Sequence, residues 1–186
     1  MASRPLTRSR AADRVRAYAG FMYNVALLVE RQLIDLDADQ VLALHEGVDD
    51  DVTYHMLLPV DSSPAALGAS MTAFGGAQFV PLEEPAAYTS IEEELRSQAQ
   101  QELDASAALL ADRGQAVTTK LVEYDPIDAL VEAVREHDCD EVIILTEPHV
   151  VREFLHLDWT SRARRKLNVP TLHLLEHMTF EQQAEM

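Results

Sequence analysis

The last third of the chain leaves few folds open. In residues 125–138, DPIDALVEAVREHD, the apolar positions Ile127, Leu130, Val131 and Val134 recur at helical spacing, so one face of a helix is buried. Asp125 suits the N-cap, and Pro126 stands at the first helical position, where its missing N–H is tolerated. Next comes CDEVIIL, in which Val142 to Leu145 is apolar without alternation, the pattern of a strand covered on both faces in a parallel sheet. A further helix, capped by Asp158 or Thr160 and ending near Asn168, leads to a closing strand from Val169 to Leu175. Parallel strands need crossovers of a dozen residues or more, usually helical, and this order supplies them.

Upstream the pattern is less regular. Residues 1–10 carry three arginines and a proline without apolar periodicity and read as an arm. Val15, Tyr18, Met22, Val25, Val29, Leu33 and Leu36 then follow three- and four-residue spacings, which predicts one long helix. That helix would cover a sheet face or pair with its counterpart in a second subunit. Val41 to His45 and Val52 to Val60 are close in sequence, which predicts an antiparallel hairpin. The stretch 61–87, rich in glycine, serine and proline, reads as a long loop; the alternative is a short helix at Pro64 to Ala73 and a strand at Gln78 to Leu82. Ser90 and Glu93 form a capping box for a helix that runs to about Arg113 and stops at Gly114, and Ala116 to Val122 is a strand.

The expected fold is therefore α/β: a Rossmann-like three-layer sandwich with a mostly parallel sheet of about five strands, plus the long N-terminal helix and the hairpin. Residues 1–37 form the arm and helix, 38–177 the α/β domain and 178–186 a tail.

A length of 186 residues fits one such domain, and the net charge of -17 sets its surface. Nucleic acid and anionic membranes would be repelled over most of it. Basic residues are nonetheless clustered, at Arg4, Arg8, Arg10, Arg14 and Arg16 and again at Arg162, Arg164, Arg165 and Lys166. Cys139 is the single cysteine, so no internal disulfide forms, and a cytoplasmic location is expected. The apolar run from Ala17 to Val29 is too short to span a bilayer. His149, Glu153 and His156 could share a helical face, but they are expected to be surface or partly buried side chains without a metal. No phosphate-loop lysine motif, nucleophile elbow or zinc-protease motif occurs, so no catalytic residue is assigned.

The acidic-then-apolar DEVIIL strand, the irregular segment after it, the next helix and the VPTLHLL strand together resemble the universal stress protein family, over about Thr53 to Leu175. The resemblance implies a parallel five-stranded α/β sandwich, commonly a homodimer, some members of which bind ATP. Those members carry glycines after the fourth strand and Gly-Ser or Gly-Thr at the following helix, so that backbone amides can approach the triphosphate. Here the corresponding segment begins Thr146-Glu147-Pro148-His149, and no glycine occurs after Gly114. ATP binding of the family kind is therefore expected to be absent or weak. The ligand candidates are Asp61 and Ser62 near the front of the sheet, Thr146 and His149 in the altered loop, and Asp158, Thr160, Ser161 and Arg162 at the next helix. The alternative is an adenine-nucleotide-binding or nucleotide-hydrolysing protein with a remodelled phosphate loop, using Thr160, Ser161 and Arg162 as anion contacts. In family members the first strand ends in an aspartate on the adenine side of the pocket. Asp61 resembles it, but LLPVDSS fits better as the second strand, which leaves the first missing or replaced by Val41 to His45.

Overall fold

A computed structural model describes residues 22–60, 85–147 and 157–185, with backbone alone at 85–89 and 157–161. Its centre is β1 (Met22–Val29), followed by α1 (Asp35–Ala43), β2 (Asp51–Pro59), α2 (Pro85–Asp112), β3 (Ala116–Val122), α3 (Pro126–Glu136), β4 (Glu141–Thr146), α4 (Leu157–Lys166), β5 (Thr171–Leu175) and α5 (Phe180–Ala184). The five strands lie in the order β3-β2-β1-β4-β5, and every neighbouring pair is parallel.

Two expectations fail at the front of the chain. The long helix from Val15 to Leu36 is replaced, over its described part, by β1 and the turn into α1. Alternating residues of β1 enter opposite cores: Val25, Leu27 and Val29 one, Ala26 and Leu28 the other. A run apolar on both faces satisfies helical spacings by coincidence, because nearly every position is apolar. The hairpin fails too. Val41 is buried in the last turn of α1 and His45 lies in the turn after it, so α1 is a short crossover and β1 pairs with β2 in parallel. The first strand is thus neither missing nor replaced by Val41 to His45. A partner docking on the long helix is withdrawn with the helix.

Helices cover both faces. Ala38 and Val41 of α1 and Ala99, Leu103 and Leu110 of α2 pack on the side of Leu27 and Tyr54. Ile127, Ala129, Leu130 and Ala133 of α3 and Ala163 of α4 pack on the side of Leu28 and Ile144. α2 is already under way at Pro85, so Ser90 stands inside it and the Ser90 and Glu93 box does not cap its start. Most of the expected loop, residues 61–84, lies outside the described residues. Gly114 ends α2 as expected, with φ +85°, a conformation that glycine adopts at little cost. The final residues include a helix: Thr179 caps α5 by accepting the Gln182 amide, and Gln183 donates to the Met178 carbonyl at 2.9 Å.

The Asp125 cap is present, its Oδ1 accepting the amides of Ile127 and Asp128 at 2.9 and 3.2 Å. Its other oxygen accepts from Arg162 at 2.9 Å, which ties α3 to α4. Burial alone would raise this carboxyl, but Arg162 and the two amides together hold it below the ordinary carboxylate range. Asp125→Ala should cost about 1–2 kcal/mol by urea denaturation at neutral pH. Because the folded carboxyl is the stronger acid, its contribution is present above the unfolded pKa and fades as pH falls through the folded one.

Candidate functional site at the sheet switch point

From β1 the chain moves outward through β2 to β3, then returns to β4 on the other side of β1 and continues to β5. In open α/β sheets the ligand crevice lies beyond the carboxyl ends of the strands where this reversal occurs, here β1 and β4. The residues that follow these strands are Glu30 and Arg31 after β1, Glu147 after β4, and Glu176 and His177 after β5.

Hydrogen bonds and an ion pair join them. The amide of Glu147 donates to Glu30 Oε2 at 3.0 Å, joining the ends of β4 and β1 through a carboxylate. Glu176 Oε1 accepts the amides of Glu30 and Arg31 at 3.0 and 3.1 Å, so a side chain beyond β5 holds the turn after β1. Arg31 Nε lies 3.7 Å from Glu147 Oε1. Asp37, only 1% exposed, accepts the Ile34 amide on one oxygen and the His177 amide on the other, at 3.0 and 2.6 Å. His177 has φ 60°, a left-handed conformation that aims its amide at α1.

Glu176 is the unusual member. It is fully buried, and its Oε2 is the single buried side-chain polar atom without a partner among the described residues. Burial, helped by the neighbouring carboxylates of Glu30 and Asp37, outweighs the two amides and pushes its carboxyl up to about 8. At neutral pH the neutral acid is the favoured form. A protonated carboxyl still accepts two amides through its carbonyl oxygen, so the strap persists without a buried charge.

The expected ligand residues divide. Thr146 is at the crevice floor, 2% exposed, with its Oγ1 2.8 Å from His173 Nε2 on the adjacent strand. Arg162 pairs with Asp125. Asp61, Ser62 and His149 lie outside the described residues, as do the side chains of Asp158, Thr160 and Ser161. Sequence reasoning missed Glu30, Arg31, Asp37, Glu176 and His177, and β1 lay hidden in the expected helix. With β1 located, the position held in the resembling family by the aspartate after the first strand is held here by Glu30, whereas Asp61 follows β2.

Chemically, this arrangement holds backbone through carboxylates. Among the described residues no group of three or more His, Cys, Asp or Glu could hold a metal ion. Nor is any described helix long and apolar enough to cross a membrane. Cys139 is 5% exposed, and burial pushes its thiol up to about 11, so it is not an activated nucleophile.

Fold and site together define a doubly wound α/β protein whose switch-point crevice is lined by carboxylates. Solved structures place that fold among known proteins. The chain is similar to the hypothetical protein MJ0577, with a TM-score of 0.59 and 15% identity, over 86% of this chain and 100% of that one. It is also similar to a universal stress protein from Archaeoglobus fulgidus, with a TM-score of 0.50 and 14% identity, over 82% of this chain and 93% of that one. The chain has the universal stress protein fold. No protein-family model matches the sequence, and no curated protein matches it significantly.

Proposed function

We propose that this chain is a universal-stress-type regulatory protein that does not bind ATP in the manner of the family's nucleotide-binding members. The observation that carries the reading is the Glu147 amide donated to the Glu30 carboxylate at 3.0 Å. In the resembling ATP-binding members, the backbone beyond the fourth strand receives phosphate. Here the first amide of that segment already serves a carboxylate. A triphosphate entering the crevice would face Glu30 and Glu147 in a partly desolvated site, where like charges repel far more than in water. No glycine follows Gly114 to bring other amides close.

On this reading the protein is a non-catalytic cytoplasmic homodimer in a stress response, acting through protein contacts or a small ligand other than a nucleoside triphosphate. The nucleotide alternative through Thr160, Ser161 and Arg162 has its arginine engaged with Asp125, on the first turn of α3. Equilibrium dialysis against labelled ATP should show no uptake at micromolar ligand. Saturable uptake in that range would overturn the reading. Light scattering of the same sample should give twice the chain mass, and a monomer would remove the dimer from it.

A further inference from the structure

β5 is an edge strand: among the described residues β4 lies on one side of it and no strand on the other. Two bonds fix which way its backbone groups point. The Pro170 carbonyl accepts the Val142 amide at 2.9 Å, and the Glu176 amide donates to the Thr146 carbonyl at 2.9 Å. Even-numbered residues therefore face β4, and the N–H and C=O of Leu175 point outward, where a further strand would join. Here a side chain takes that place. Gln183 Oε1 accepts the Leu175 amide at 3.0 Å, and Gln183 Nε2 donates to the Leu175 carbonyl at 3.3 Å. A carboxamide carries a donor and an acceptor side by side, so Gln183 does at Leu175 what the peptide group of a neighbouring strand would do.

Gln183 is held there from α1 and from the turn before α5. Its Nε2 also lies 2.9 Å from the Met178 carbonyl and 3.3 Å from Gln40 Oε1, and Gln40 donates to the same Met178 carbonyl at 2.6 Å. Its backbone amide donates to the Thr179 carbonyl at 3.0 Å, inside the helix that Thr179 caps. Yet α5 is only five residues long and buries none of them; Phe180 is 41% exposed. An element fixed by hydrogen bonds without buried apolar side chains opens locally at far smaller cost than the sheet. The strand it covers needs covering. TLHLL holds no acidic residue, lysine, arginine or proline, and Leu172 is 38% exposed. Edges without charge or proline template pairing with another chain, and a covering segment is one way in which native proteins prevent it.

We propose that α5 is an autoinhibitory strap: by pairing Gln183 with Leu175 it closes the edge of β5 to a second copy of this chain, and its release opens that edge to β5 of the other copy. Self-pairing suits the strand. Two copies of TLHLL meet antiparallel about a two-fold axis, and neither brings an acid to the contact, although the chain as a whole has a net charge of -17. While the strap is closed, the end of the edge already has its partner. The inference goes beyond the homodimer proposed above, which then forms on another surface.

The test compares the full-length wild type with Gln183→Ala, which removes the carboxamide, and Thr179→Ala, which loosens the α5 cap and leaves Gln183 in place. Amide hydrogen exchange reads the strap. The Leu175 amide should exchange about tenfold faster in Gln183→Ala than in the wild type, while that of Leu174, which faces β4, is unchanged. Sedimentation equilibrium over a range of concentrations reads the edge. Both variants should gain mass with concentration beyond the wild type, and adding Leu172→Lys, a charge on the exposed edge strand, should cancel the gain. Equal Leu175 exchange in the wild type and Gln183→Ala would overturn the proposal. So would faster Leu175 exchange without a gain in mass, or a gain that Leu172→Lys leaves intact. Loss of Leu174 protection in Gln183→Ala would show that α5 holds the strand itself, and a wild-type dimer dissolved by Leu172→Lys would show that β5 is already open; either result also refutes the strap.

Discussion

Alanine at Leu27 is expected to destabilise the fold by about 3–5 kcal/mol, and alanine at Leu28 by a similar amount. The pair tests the strand at the centre of the sheet. Leu27 is 0% exposed on the α1 and α2 side, and Leu28 is 1% exposed on the α3 and α4 side. Neither belongs to the helical stripe that the spacing of Val15, Tyr18, Met22, Val25 and Val29 describes, so in a helix covering one sheet face both would lie off the buried stripe and their truncation would cost little. In β1 each truncation leaves a cavity in a different core, and the double change should be nearly additive. Urea denaturation with an unchanged m-value reads both. A loss below about 1 kcal/mol at either position would contradict the central placement of β1.

Glu176→Gln should remove a pH dependence that the wild type shows between about pH 5 and pH 8. The folded carboxyl titrates at about 8, above its ordinary value of 4.5. Its favourable contribution is therefore fully present below the unfolded pKa and is lost as pH rises through the folded one. Over that window the loss is on the order of a few kcal/mol. Glutamine keeps an acceptor for the Glu30 and Arg31 amides but cannot ionise. Its amide nitrogen stands where Oε2 has no partner among the described residues, which imposes a pH-independent cost. The informative quantity is thus the difference between the two proteins across pH, in which Glu30, Asp37, Arg31, Glu147 and His177 are common to both. It should move toward the glutamine variant as pH rises. A flat difference from pH 5 to pH 9 would show that Glu176 ionises without hindrance in the folded protein.

What could be read from the sequence follows the range of the interactions involved. β3, α3 with its Asp125 cap, β4 and β5 each carry a local signature: β-branched residues, a cap with proline, an unbroken apolar run, a stop at Asn168. These were legible almost to the residue. β1 was not, because a strand covered on both faces has no alternation left to distinguish it from a buried helix. Once β1 was read as helix, Val41 to His45 had to become a strand, and the parallel crossover through α1 disappeared with it. The fold class survived because the closing helices and strands alone demand a parallel sheet.

Of the crevice, the sequence shows only what it lacks. The missing glycines and the Glu147-Pro148 pair can be seen in the chain. The hydrogen bonds that occupy the crevice cannot, because they join residues as far apart as Glu30 and Glu176. An acid directly after the apolar run TLHLL hints at something, but the same acid on an outer edge would be solvated. Only the return of β5 beside β4, next to the end of β1, buries it.

On the proposed function, carboxylates and their hydrogen bonds stand at the switch point in place of triphosphate. A titration of the isotope-labelled protein with magnesium ATP tests this most directly, followed at the amides of Glu30, Arg31 and Glu147. No saturable shift is expected at these three signals up to millimolar nucleotide. Saturation in the micromolar range, with the Glu147 amide leaving Glu30 for a phosphate, would contradict it.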